Sequence, residues 1–190
     1  MQTYSHLLIT AVLGDQLSKR DIAQPGRAFL VGSVLPDVPL LLLTIGYMAV
    51  RQSGPAGELF GASYDQLYFH NPWWIVGHNL FHAPLLLLVY GLIGYWGWQR
   101  GRRWGPVLFW LAAGCGLHAL IDIFTHVTDG PVLFFPLNWT YRFRAPVSYW
   151  DPAYGGRIFA PVEHLLDLIL VLYLLLNLRR ARRRKKLPVG

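Results

Sequence analysis

Four apolar stretches, at residues 29–50, 79–98, 104–121 and 158–178, dominate this 190-residue chain. Each approaches the roughly 20 residues that a helix needs to cross a hydrocarbon core about 30 Å thick. A soluble domain cannot bury that much continuous apolar surface. The charge content agrees: 14% of residues are charged and 54% hydrophobic, where ordinary soluble domains carry about 25% charge. The expected fold class is therefore all-α, a polytopic membrane helical bundle of about four transmembrane helices. A further short apolar helix is expected over residues 3–14, "TYSHLLITAVLG", with Gly14 as its stop signal. Residues 1–178 are read as one membrane-embedded domain and 179–190 as a basic tail.

The first stretch is interrupted. "GSVLPDVP", residues 32–39, sets Pro36 and Pro39 around Asp37. Proline removes a backbone donor and disfavours helix in the residue before it. Irregular backbone at membrane depth survives only where protein buries it or water reaches it. A helix broken at Pro36–Pro39, with Asp37 at the break, is expected. The N-terminus lacks the basic head and cleavage site of a signal peptide, so no processing is expected. The single cysteine, Cys115, excludes an internal disulfide and a cysteine-based zinc site.

Charge sets the expected orientation. "QRGRR" (99–103), "RRARRRKK" (179–186) and the approach to the first stretch (Lys19, Arg20, Arg27) fall on one side of a four-span bundle. The positive-inside rule assigns that side, with the C-terminus, to the cytoplasm. The basic tail is expected to touch anionic lipid, and no module for nucleic acid accompanies it. The opposite loops, 51–75 and 126–157, are rich in Trp and Tyr, which favour the headgroup level. Their arginines, Arg51, Arg142, Arg144 and Arg157, weaken the asymmetry without reversing it.

Polar residues within the apolar stretches carry the chemistry. His6, Asp37, His78, His82, His118, Asp122, His126, Glu163, His164 and Asp167 all lie in or beside them, and they include six of the seven histidines. A charge at mid-bilayer costs roughly 3 kcal/mol, so such residues face the bundle interior and mark functional sites. Three segments repeat an i,i+4 spacing that puts a pair on one helix face: His78 with His82, His118 with Asp122 (extended by His126), and Glu163 with Asp167. Metal sites in bundle cores are built from such pairs on facing helices. Imidazole with carboxylate suits Zn, Mn, Fe or Ni. His164 points about 100° away from Glu163, and His70 is read as interfacial. Asp129 and Asp151 read as turn residues beside Gly130 and Pro152.

The same residues fall in a familiar order. "SH" near the N-terminus, "GSVLPD", H-x-x-x-H at 78–82, and "LHALIDIFTH" followed by "GPVLFFP" resemble the membrane-bound metal-dependent hydrolase family. These are small bacterial inner-membrane proteins, distantly similar to zinc-dependent phospholipase C. The resemblance runs over residues 3 to 140. It implies metal ligands at His6, Asp37, His78, His82, His118 and Asp122, and an inner-membrane location. The family often has Arg after the first histidine of H-x-x-x-H and Ser after the second, where this chain has Asn79 and Ala83.

A metal-activated water attacking an ester or phosphoester of a lipid or lipid-linked substrate near the outer leaflet is the expected chemistry. One or two divalent ions, Zn first, would be held by the six ligands above with His126. Such an ion lowers the pKa of bound water toward about 7. Glu163 or Asp167 would serve as general base, and Arg142, Arg144 and Arg157 would clamp a phosphate. The alternatives are a non-enzymatic membrane protein that handles metal or protons and a scaffold whose polar residues only join helices.

Overall fold

The computed structural model describes residues 1–50 and 61–186. Arg51 and residues 187–190 lie outside that range. The described residues form eight α-helices: α1 (Thr3–Lys19), α2 (Gly26–Gly32), α3 (Asp37–Val50), α4 (Ala62–His70), α5 (Pro72–Asn79), α6 (Pro84–Gln99), α7 (Trp104–Thr125) and α8 (Gly156–Lys186). A 3-10 turn at Pro152–Tyr154 precedes α8. Between α7 and α8 the chain is irregular apart from one isolated bridge, Val132 to Arg142.

Helix α7 and residues Gly156–Arg182 of α8 are long and apolar enough to cross a bilayer. Two bent pairs pass the same test as units: α2 with α3, bent by 42°, and α5 with α6, bent by 46°. Two of the four expected stretches are single helices able to cross, and the other two are bent pairs that make the total four where each pair is one span. The first break falls where Pro36 and Pro39 put it. The second was not expected, since 79–98 read as one helix. Its cause is Pro84, the first residue of α6, whose ring and missing N–H disfavour helix in the residue before it. Asn79 steadies the break: its Nδ2 donates to the Ile75 carbonyl at 2.8 Å, and the Ala83 N–H bonds the Asn79 carbonyl at 2.9 Å.

Helix α1 also departs from expectation. It continues through Gly14 to Lys19. Within α1, Asp15 Oδ2 accepts from Lys19 Nζ at 2.7 Å, and from α8 it accepts Tyr173 Oη at 2.6 Å and Asn177 Nδ2 at 3.1 Å. A glycine is a weak stop, and these bonds to α8 outweigh its cost. Helix α8 likewise does not end where the basic tail begins. Its 31 residues span about 46 Å at 1.5 Å per residue, so the arginines continue the helix beyond a hydrocarbon core about 30 Å thick.

Two glycines bring the centre together. A Cβ on Gly32 would lie 2.2 Å from the Leu111 carbonyl oxygen, and one on Gly114 would lie 2.2 Å from that of Phe29. Helices α2 and α7 therefore touch backbone to backbone, as small residues permit in membrane bundles. The Ser33 carbonyl comes within reach of His118 as a result. Most leucines of α8 face outward, which suits a lipid environment.

Candidate metal centre

Asp122 is the hub. It sits in the last turn of α7, 3% exposed, and each carboxylate oxygen has its own set of neighbours. Oδ2 lies 3.0 Å from His82 Nε2 and 3.1 Å from His118 Nε2. Oδ1 lies 3.0 Å from His6 Nε2, 3.0 Å from the Met1 α-ammonium and 3.6 Å from His126 Nδ1. Asp37, at the start of α3, approaches His118 Nε2 at 3.4 Å, and Thr3 Oγ1 donates to its other oxygen. One ligand atom from each of Asp37, His82, His118 and Asp122 lies within 4.8 Å of every other.

Each residue is delivered by a recognisable local device. Asp37 and His82 come from the two proline-made breaks. His118 and Asp122 share a face of α7. His6 comes from the first turn of α1, its ring stacked on that of His118 at 3.7 Å between centroids and 17° between planes.

Backbone and hydroxyl groups fix which nitrogens are available. His118 Nδ1 donates to the Ser33 carbonyl at 2.8 Å, so Nε2 is the nitrogen that faces the two carboxylates. A carbonyl behind a histidine in this way is the usual support of a ligating imidazole. His126 Nδ1 donates to the Asp122 carbonyl at 3.0 Å, freeing its Nε2. Tyr68 Oη donates to the Asp129 carbonyl at 2.5 Å and so must accept from His78 Nε2 at 3.1 Å. The lone pair of His78 then sits on Nδ1, which is buried without a partner.

The contacts at the hub are short. His118 Nε2 and His6 Nε2 lie about as close to carboxylate oxygens as hydrogen-bonded atoms, yet neither makes a hydrogen bond. His82 Nε2 is aligned to bond Asp122 Oδ2, while its Nδ1 has no partner.

A cavity of about 660 Å³ leads away from the cluster. His78, His82, Asp122 and His126 form its polar end, with Asp37 beside them, and Tyr64, Tyr68, Phe69, Tyr149 and Trp150 line its walls. Burial pushes the Tyr68 and Tyr149 phenols up and the His126 imidazole down. The tyrosines therefore keep their protons at neutral pH, and His126 keeps its lone pair.

A family model described as YdjM inner membrane protein matches residues 1–185. The chain belongs to the YdjM inner membrane protein family. Its helices agree with that placement in the bacterial inner membrane. No curated protein and no solved structure matches the chain. The YdjM description gives a location and no reaction, so the chemistry rests on the residues.

In this YdjM-family chain the residues expected to act together separate into groups. His82, His118, Asp122 and Asp37 assemble, with His6 against the far oxygen of Asp122. His78 and His126 line the cavity beside them. Glu163 and Asp167 do not join. Glu163 Oε1 accepts the Gln2 N–H at 2.7 Å, and Asp167 Oδ2 accepts Ser5 Oγ at 3.0 Å, because α8 packs on the side of α1 away from the cluster. The arginines are also spent elsewhere. Arg142 donates to the Gly130 carbonyl and lies over the Tyr68 and Phe69 rings. Arg144 donates to Tyr154 Oη, and Arg157 is exposed. None of the three lines the cavity. Asn79 holds the Val132 N–H at 2.7 Å and points away from any substrate space. His164 stays exposed beside Tyr4, and His70 is exposed as expected.

Sequence reasoning missed Thr3, Ser33 and Tyr68. They act through tertiary contacts that no spacing announces.

Proposed function

We propose that this chain is a metal-dependent hydrolase of the membrane, with a divalent cation, Zn first, held by Asp37, His82, His118 and Asp122. The observation that supports this is the contact at His118, as short as a hydrogen bond without being one. Two side chains joined by a proton aim the N–H at the oxygen. Two ligands of one ion instead lie side by side with their lone pairs converging on it. For tetrahedral Zn with bonds of about 2.0–2.1 Å, neighbouring ligand atoms are about 3.3 Å apart, close to the 3.1 and 3.4 Å separations around His118 Nε2. The donor set, imidazole and carboxylate without thiolate, suits Zn, Mn, Fe or Ni.

Asp122 Oδ1 faces His6 while its Oδ2 faces His82 and His118, so Asp122 and His6 would hold any second ion. The bound metal would supply hydroxide at neutral pH and polarise the scissile ester. The protein's own groups do the rest. Ser33 and Asp122 carbonyls hold the His118 and His126 tautomers. His126 presents its free Nε2 to the cavity as proton acceptor, in the role first assigned to Glu163 or Asp167. The aromatic walls exclude water and admit an apolar-tailed ester or phosphoester of a lipid or lipid-linked substrate. With no arginine lining the cavity, charge on a phosphoester would be met by the metal.

The test is elemental analysis of the purified protein beside His118→Ala and Asp122→Asn. One to two equivalents of metal in the wild type, lost from both variants with helix content retained, is the expected outcome. A metal-free wild type under gentle purification would sink the proposal and leave a proton-sharing cluster or a scaffold.

A further inference from the structure

Helix α8 carries two carboxylates whose burial has no explanation in the metal cluster. Only 11% of its membrane window is buried, yet Glu163 is 3% and Asp167 8% exposed. Both are turned onto one target, the first turn of α1. Glu163 takes the Gln2 N–H and Asp167 takes the Ser5 hydroxyl. The Gln2 side chain makes no cap of its own on α1. A helix start leaves N–H groups unsatisfied and carries partial positive charge, so a carboxylate from α8 fills a role that the local sequence leaves open.

The next residue along α1 is His6. It lies about 100° around the helix from Ser5, fully buried, stacked on His118 and 3.0 Å from Asp122 Oδ1. Neither of its ring nitrogens makes a hydrogen bond, so no group outside the cluster fixes the ring's direction. The first turn of α1 is thus held between α8 on one side and the Asp122 cluster on the other.

We propose that Glu163 and Asp167 are positioning residues that set His6 in the metal centre by holding the start of α1. This rests on the metal reading above. Leucine at both positions would suit a lipid-facing helix better, so the carboxylates serve the clamp rather than insertion.

The experiment uses the full chain in detergent or nanodiscs with Co²⁺ as the probe. Metal affinity and the visible ligand-field spectrum are measured for the wild type, Glu163→Leu/Asp167→Leu, Ser5→Ala, His6→Ala, and the leucine pair combined with His6→Ala. The leucine pair is expected to lower Co²⁺ affinity about tenfold and to reproduce the spectrum of His6→Ala. Adding it to His6→Ala should cost less than a further twofold. Ser5→Ala, which leaves α8 untouched, should shift the spectrum in the same direction, and Glu163→Gln with Asp167→Asn should retain most of the affinity by keeping the acceptors. Equal losses with and without His6 would show general destabilisation and overturn the proposal. So would wild-type affinity and spectrum in the leucine pair. A wild type that takes up no Co²⁺ would overturn the metal reading itself, and the clamp with it.

Discussion

At the scale of single residues, the centre depends on groups that cannot be left half-satisfied. Asn79 is the clearest case outside the cluster. It is fully buried, and its two ends bond the Ile75 carbonyl and the Val132 N–H. It therefore ties the break between α5 and α6 to the segment that follows the cavity. Asn79→Ala would strand the Val132 N–H in a dry setting, at a cost of about 1–3 kcal/mol. Denaturation in detergent should show that loss, with metal content reduced only in proportion to unfolding. An unchanged midpoint would mean that water replaces the amide. Asn79 could be noticed in the sequence as a departure from a family habit, yet its partner lies 53 positions away. The histidines and Asp122 were easier to find, since ionisable groups inside apolar helices need a reason to be there.

At the scale of elements, proline and glycine do the placing. Proline makes both breaks from which Asp37 and His82 emerge. The first could be read from "LPDVP", where two prolines flank a carboxylate. The second was missed because Pro84 sits amid a long apolar run, and hydropathy is blind to a 46° bend. Glycine makes the contact of α2 with α7. Gly114→Ala would drive a Cβ to 2.2 Å from the Phe29 carbonyl oxygen. Overpacking of this kind costs about 1–3 kcal/mol or more. It should also part Ser33 from His118 and lower metal affinity. Gly116→Ala provides the control, because its added Cβ meets nothing within 4 Å. If both variants melt alike and bind metal alike, the close approach of the two helices is not what holds His118.

At the scale of the whole molecule, the proposed cation would join α3, α7 and the break before α6, with α1 against its far side. A ligand that binds only the folded state stabilises it by about 2.7 kcal/mol at a hundred times its dissociation constant. Added Zn²⁺ is accordingly expected to raise the thermal midpoint of chelator-treated wild type and to leave His118→Ala unmoved. An equal rise in both would mean binding elsewhere, and no rise would remove the cross-linking role.

The apolar runs alone determined that this chain is a helical membrane protein, because of the two structures that satisfy backbone groups in lipid only the helix needs runs of about 20 residues, a barrel strand needing about 10. Spacing also put His118 with Asp122 on one face, a local property of the helix. Tertiary structure decided the rest. Helical periodicity states which way a side chain points but not which neighbour stands there, so only packing could turn Glu163 and Asp167 to α1 rather than to the cluster. For the same reason Arg142 and Arg144 went to a carbonyl and a phenol, and Asp122 came to face His6 and His82 from segments far apart in the chain.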